Sequence, residues 1–294
     1  MKILILGITG MFGHALWLNL TEGCKTFGSI RGDLGRLGGK CSFFNKGDKN
    51  IIDGIDVLND DDLERALDVA RADVVVNCVG VVKQLPCAKF SIPSISLNAL
   101  FPQRLAEMCT KSRTRLIHIS TDCVFSGNKG NYAEGDIPDA HDLYGRTKYL
   151  GEVAGDGCLT IRTSVVGRQL SGETGLFEWF LSQKGMVRGY RRAVFSGLTT
   201  HALADIIRVL INDHPTLDGL YHVSGEPINK YDLLSRLKDG LCLDVEVIPD
   251  DSVVVDRSLD STKFREVTHA YIPTWPEMID DFVKWVPNYE KWRF

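Results

Sequence analysis

Three glycines near the start limit what this chain can fold into more than any other feature. Lys2–Leu6 is a short aliphatic run, Gly7, Gly10 and Gly13 follow it, and a helical pattern continues through Leu20. A strand that turns on glycine straight into a helix lets backbone approach a pyrophosphate and lets the helix pack closely on the strand. The helix start adds unpaired N–H groups and the positive end of its dipole. Gly7, Thr9, Gly10, Met11, Phe12 and Gly13 are therefore expected to hold the phosphates of a nucleotide. A purely structural turn is the other reading, because 28 glycines make chance spacings common.

The strand-then-helix rhythm runs to about residue 165. Lys25–Ile30 reads as a second strand, and Gly32–Asn50 as a loop carrying a short strand at Cys41–Phe44. Ile51–Val57 leads into Asp60–Ala72, which has an acidic first turn and apolar residues at helical spacing. Asp73–Cys78 and Arg115–Ile119 are continuous aliphatic runs, suited to strands buried on both faces of a parallel sheet. Ile95–Cys109 reads as a helix that Pro102 should kink or break near its start. Tyr144–Ala154 is helical and Leu159–Thr163 is another strand. The alternation predicts an α/β fold, a Rossmann-type doubly wound parallel sheet over residues 1–165.

Beyond that point Leu176–Gln183 and Thr200–Asn212 read as helices and Leu220–Val223 as a strand. Lys230–Leu241 reads as a helix capped by Asn229, and Val245–Ile248 as a strand. Residues 166–294 are expected to form a smaller α/β substrate-binding part, with about 197–224 returning to pack on the first sheet.

Composition narrows the class. Apolar residues at 44% and charged residues at 24% suit a packed globular chain and exclude a disordered or fibrous one. With 34 basic and 38 acidic side chains the net charge is −4, so neither a nucleic acid nor a membrane surface is an expected partner. No run approaches the roughly 18 apolar residues of a membrane span. The eight cysteines show no CxxC pair and no zinc spacing, so reduced thiols in a cytoplasmic protein are expected, with no metal site.

Several positions sharpen the nucleotide reading. Arg31 ends the second strand, where an acidic residue commonly meets a ribose without a 2′-phosphate. A guanidinium there pairs with a 2′-phosphate, so NADPH is expected over NADH, although Asp33 lies close by. Asp56, followed by Val57, either takes an adenine amino group or is a turn residue. Asn77, Cys78 and Gly80 end the fourth strand, at the carboxyl edge where open α/β sheets bind ligands.

Tyr144 and Lys148 stand four apart on a helix, so phenol and ammonium share one face. A neighbouring ammonium and an oxidised nicotinamide would both lower the phenol's usual pKa of about 10. Ser120, Thr121 and Asp122 end the preceding strand. Ser120 or Thr121 would hydrogen-bond a substrate carbonyl oxygen, or the three form a turn capped by its own side chains.

Gly7-x-x-Gly10-x-x-Gly13, Ser120-Thr121-Asp122-Cys-Val-Phe-Ser-Gly127, Tyr144-Gly-x-x-Lys148 with Gly151-Glu152, and Ile161-Arg162-Thr163-Ser164 together resemble the extended short-chain dehydrogenase/reductases. Among these the chain looks most like the dTDP-4-dehydrorhamnose reductase group, chiefly over residues 1–167. The resemblance implies a catalytic set of Thr121, Tyr144 and Lys148. Tyr144 would be the general acid, Lys148 would hold the nicotinamide ribose, and Thr121 would orient the keto oxygen. It implies hydride transfer from NADPH to the C4 ketone of a nucleotide-linked 6-deoxyhexose, with Ser120, Tyr144 and Lys148 also at the cofactor. Cys123 replaces a second tyrosine of the family, Val165 a frequent tryptophan, and Val81-Val82-Lys83-Gln84 also departs. These departures imply a changed sugar preference, for which an N-acetylated 4-keto-6-deoxy sugar on UDP is a candidate.

Lys83, Thr121, Asp122, Cys123, Arg188 and Arg191 are the expected substrate-side residues. Arg188, Arg191 and Arg192 offer forked donors suited to a diphosphate, and a solvated basic loop accounts for them equally well. Phe177, Trp179 and Phe180 read as core, and His222 as a structural histidine. Pro287–Phe294, with its three aromatic residues, docks on the body or on a second subunit, which leaves a homodimer open. Two alternatives remain open on the same fold: a non-catalytic nucleotide-binding regulatory subunit, and an epimerase or dehydratase that retains NAD.

Overall fold

Parallel runs of Val, Ile and Leu build the centre of the computed structural model, which describes residues 1–44, 48–83 and 86–294, without the side chains of Pro86 and Cys87. The first half gives β1 (Lys2–Leu6), α1 (Met11–Thr21), β2 (Lys25–Ser29), α2 (Leu34–Leu37), β3 (Ile51–Ile52), α3 (Asp60–Ala70) and β4 (Val74–Asn77). It continues with α4 (Ser91–Ile95), α5 (Phe101–Ser112), β5 (Arg115–Thr121), α6 (Leu143–Leu150) and β6 (Cys158–Thr163). The second half gives β7 (Val165–Val166), α7 (Leu176–Leu181), β8 (Gly185–Tyr190), β9 (Ala193–Phe195), β10 (Leu198–Thr199), α8 (Thr200–Asn212) and β11 (Gly219–His222). Then come β12 (Ile228–Asn229), α9 (Lys230–Leu241), β13 (Val245–Asp250), β14 (Val255–Asp256), α10 (Thr262–Thr268) and α11 (Trp275–Trp292).

Seven strands form one sheet in the order β11-β6-β5-β4-β1-β2-β3. Every neighbouring pair is parallel. β4, β5 and β6 are buried on both faces, which is why they read as continuous apolar runs instead of alternations. The strand order reverses beside β1. Ligands of such sheets bind at the carboxyl ends of the strands at that reversal, where the glycine turn and the ends of β4 and β5 lie. β11 joins the sheet beside β6, and α8 packs against α1, so residues from the second half complete the sheet of the first.

Two segments differ from the sequence expectation, and a third takes one of the two dockings left open for it. Cys41–Phe44 forms no strand, because the sheet edge is taken by β3 and the segment instead grips the chain end. The Cys41 thiol donates to the Trp292 carbonyl at 2.9 Å and the Ser42 hydroxyl to that of Lys291 at 2.7 Å. Pro102 does not break its helix. It sits in the first turn of α5, and a π-helical turn at Ser96–Leu100 joins α4 to α5. Pro102 has no N–H to offer the Asn98 carbonyl, so the helix widens there and continues. Pro287–Phe294 docks on its own body, with Tyr289 1% exposed and the Phe294 N–H donating to the Leu170 carbonyl.

The seven cysteines whose side chains are described are free. Among the described residues no helix is long and apolar enough to cross a membrane.

Candidate active site

Gly10 is the N-cap of α1 and no side chain caps the helix, which leaves its first N–H groups facing the turn. The glycines are needed for space. A Cβ on Gly13 would stand 2.1 Å from the Gly7 carbonyl oxygen, and Gly7 has φ +86°. Thr9 and Gly10 are exposed and Met11 half-buried, while the Phe12 side chain is in the core, leaving only its backbone for a ligand. This uncapped helix start, with no room for a side chain at Gly7 or Gly13, fits the pyrophosphate of a dinucleotide.

At the end of β2, Arg31 is exposed. Asp33, the nearby competitor, is engaged elsewhere: its carboxylate caps α2 by accepting from the Arg36 N–H at 2.7 Å. Asp56 is exposed and accepts from the Leu58 N–H at 3.1 Å, so it is at least a turn residue, while Val57 is buried beneath it.

Two expected cofactor side chains turn inward. Asn77 is buried, accepting from the Val79 N–H at 3.0 Å and lying 3.1 Å from Nδ1 of His118. Ser120 donates to Glu152 at 2.7 Å, and Glu152 is held in turn by a two-pronged ion pair with the buried Arg162. Both shape the strand ends, and of Ser120 and Thr121 only Thr121 remains for a substrate oxygen. Burial pushes the Cys78 thiol far up, which makes it an apolar wall. Gly80 is exposed, and a Cβ there would lie 3.1 Å from the Asn98 amide oxygen.

Asn98 was not visible as a site residue in the sequence. From the π turn its amide brackets Val81, accepting from the N–H at 2.8 Å and donating to the carbonyl at 3.0 Å. That bracket fixes the loop after β4.

Thr121, Tyr144 and Lys148 converge. Thr121 caps the turn that follows β5, accepting from the Cys123 N–H at 3.1 Å and donating to Asp122 at 3.1 Å. The self-capped turn and the catalytic candidate are thus the same residue. Asp142 caps α6 by accepting from the Gly145 N–H at 2.8 Å. The helix can seat only because residue 145 is glycine, since a Cβ would stand 2.2 Å from the Cys123 carbonyl oxygen. Lys148 is buried and its ammonium donates to the Ile119 carbonyl at 2.8 Å. Burial lowers it to about 8, with Glu152 opposing.

Tyr144 departs from the expectation that Lys148 holds its phenol low. Burial pushes the phenol up, Cys123 and two carboxylates push the same way, and its hydrogen bond with Thr121 opposes them. With no cation among the dominant influences, the phenol keeps its proton, which is the form an acid requires.

Among the residues expected on the substrate side, Asp122 is buried, and burial raises its pKa against the pull of Arg257 and Lys230. Burial pushes the Cys123 thiol up to about 12. Lys83 is exposed and pairs with Asp142 at 2.7 Å, so it braces the cap of α6. Gln84 lies outside the described residues. Arg188 and Arg191 are exposed and pair with Asp250 and Asp251, so they are solvated, but Arg188 stands on strand β8 and not on a loop; no hydrogen bond among the described residues ties them to Thr121, Tyr144 or Lys148. The sequence reading missed Lys230 and Arg257. Arg257 donates to the carbonyls of Phe125 (2.9 Å) and Ser126 (3.1 Å), anchoring the turn after Asp122. Lys230, the first residue of α9, lies 3.6 Å from the Phe195 ring centre, and burial lowers it to about 8 with Asp122 opposing. Asn229 was legible as a cap, but only tertiary packing aims Lys230 at β5.

Comparison with known proteins gives this site its relatives. A probable low-salt glycan biosynthesis reductase of Haloferax volcanii is 34% identical over 101 residues, 34% of each chain, so this relative is matched over only about a third of its length. Methionine adenosyltransferase 2 subunit beta of Xenopus laevis is 24% identical over 261 residues, 82% of this chain and 72% of that one. Among solved structures, a hypothetical dTDP-4-dehydrorhamnose reductase from Sulfolobus tokodaii superposes with TM-score 0.75 at 26% identity, covering 92% of this chain and 96% of that one. The family model described as the RmlD substrate binding domain matches residues 1–286. A match that starts at the first strand and runs into the last helix leaves little of the chain outside it, and this protein belongs to the RmlD substrate binding domain family.

Proposed function

We propose that this protein is an NADPH-dependent reductase of the C4 ketone of a nucleotide-diphospho-4-keto-6-deoxyhexose. The observation that carries the reading is the convergence of Tyr144, the Thr121 hydroxyl and the buried Lys148 side chain at the carboxyl end of β5. The dinucleotide, when bound, supplies the hydride. Met11 and the glycine turn hold its pyrophosphate, Arg31 meets its 2′-phosphate, and Lys148 donates to its ribose. Thr121 releases its proton from Asp122 to hydrogen-bond the keto oxygen, and Tyr144 delivers a proton to that oxygen as charge develops on it. A positioned general acid is worth roughly 10²–10⁴-fold. Cys123, small and apolar, leaves room beside the sugar, and Lys230 faces the same space.

The test supplies NADPH with 4-keto-6-deoxy sugars on dTDP, UDP and GDP in turn. One sugar should drive NADPH oxidation, and Tyr144→Phe should cut turnover about 10²–10⁴-fold. Unchanged turnover in that variant overturns the mechanism. Arg31→Ala should weaken NADPH roughly tenfold while leaving NADH unaffected, the loss of one charge-assisted pair; equal loss for both cofactors would remove Arg31 from the 2′-phosphate.

The length of the match to the methionine adenosyltransferase subunit favours a second reading, a nucleotide-binding regulatory subunit without turnover. NADPH binding with no oxidation of any sugar would decide for it.

A further inference from the structure

α11 ends against the helix that opens the nucleotide cradle, and the contact is a chain of buried hydrogen bonds. His14, one turn into α1, lies with Nδ1 2.8 Å from the Gly10 carbonyl oxygen. Its Nε2 lies 2.7 Å from the Tyr289 hydroxyl, and Nε2 of His201 lies 3.4 Å from that same hydroxyl. His14 is completely buried and Tyr289 nearly so.

The protons in this chain have one consistent arrangement. A carbonyl oxygen only accepts, so Nδ1 of His14 carries the proton, and its Nε2, in a neutral ring, accepts from the Tyr289 hydroxyl. The Tyr289 oxygen then accepts from Nε2 of His201. Burial holds both histidines near 4, which keeps the rings neutral as this arrangement requires.

The Gly10 carbonyl is shared. It also accepts the backbone N–H of His14 at 3.1 Å, the first hydrogen bond of α1. The peptide that owns this carbonyl also owns the Met11 N–H, a free donor of the cradle. Hydrogen bonds along one peptide polarise each other, so a doubly engaged carbonyl makes that N–H a stronger donor. On the Tyr289 side, Arg168 stacks on the phenol ring at 5.5 Å and pairs with Glu178 and Glu290, which locks α11 in place.

We propose that His14 is a positioning residue for the cofactor's pyrophosphate and that Tyr289 holds it there, so that docking of α11 and dinucleotide binding are coupled. The inference rests on the cofactor's phosphates lying at the glycine turn. Coupling of this kind is reciprocal: whatever α11 contributes to affinity, bound cofactor returns as protection of α11.

The experiment measures NADPH dissociation constants from nicotinamide fluorescence, beside melting temperatures. Tyr289→Phe keeps the ring and removes the hydroxyl, and should weaken NADPH about three- to tenfold, the loss of one buried hydrogen bond. His14→Leu should weaken it at least as much. His14→Asn, whose amide N–H takes the place of Nδ1, should recover most of that loss. Phe282→Leu, in the core side of α11, should lower the melting temperature with little change in affinity. Hydrogen exchange on the unaltered protein should show the amides of Val286 and of residues 288–292 slowed by NADPH, a reading that does not depend on any variant folding. Unchanged affinity in Tyr289→Phe, equal weakening in Phe282→Leu, or no protection of those amides by bound NADPH each overturns the coupling alone. Failure of the unaltered protein to bind NADPH overturns it together with the cofactor reading.

Discussion

At the scale of single residues, the buried Lys148 ammonium sets a pH limit. Standing near 8, it is charged at neutral pH and neutral above. In the proposed contact with the ribose only the ammonium donates fully, so cofactor binding would take up a proton above that value. NADPH affinity should hold from pH 7 to 8 and fall toward tenfold per unit beyond. The phosphate's own titration near 6 lies outside that range. Dissociation constants across pH 7–9.5 check this, and Lys148→Met should flatten the profile; a fall that persists in the variant assigns it to another group. That Thr121 ends a strand and that Tyr144 and Lys148 share a helix face were legible, because each is a local pattern. Lys230, Arg257 and Asn98 were not, because each reaches the site from a different element and no spacing along the chain records that. The phenol's pKa misled for a related reason: proximity of the ammonium was legible, whereas burial was not.

Among elements, the junction of α4, α5 and α6 decides where α6 sits. Gly145 admits the Cys123 carbonyl, and Gly151 admits that of Asn98, from which a Cβ would stand only 1.9 Å. The π turn is what places Asn98 to serve both α6 and the loop after β4. Asn98→Ala would leave the Val81 N–H and carbonyl buried without partners, a cost of about 1–3 kcal/mol. Urea unfolding should show that loss with an unchanged slope, and a stability equal to the parent's would mean the bracket is replaceable by water. The helices here were readable from their periodicity, but the outcome at Pro102 was not. A proline announces a missing hydrogen bond, and whether the helix breaks or widens depends on what packs against the freed carbonyl. The expected strand at Cys41–Phe44 failed likewise, because an apolar run needs a free sheet edge.

For the molecule as a whole, four buried histidines make folding sensitive to acid. Burial holds His14 and His201 near 4, His118 well below its ordinary value, and His222 lower than ordinary. Unfolded imidazoles bind protons near 6.5, whereas folded His14 and His201 do not until about 4, and folded His118 and His222 are also lowered, so unfolding takes up protons as the pH falls below 6.5. Their contribution is complete above pH 6.5 and is lost as pH falls toward 4, on the order of 3 kcal/mol each for His14 and His201. Urea midpoints between pH 7.5 and 4.5 should fall steadily, and a level series would mean that the histidines titrate alike in both states. The layered sheet was legible from the rhythm of its runs. Its seventh strand comes from beyond residue 166, within the stretch of about 197–224 expected to return to that sheet.

That seventh strand has a consequence for how the chain is made. A ribosome delivers β6 long before residues 219–222 exist, so the growing sheet carries an open parallel edge through that interval. An unpaired edge of buried-type sequence, Cys158–Thr163, invites pairing with any other extended chain nearby. The hazard ends only when β11 arrives, and α8, already synthesised by then, can close over α1 in the same event.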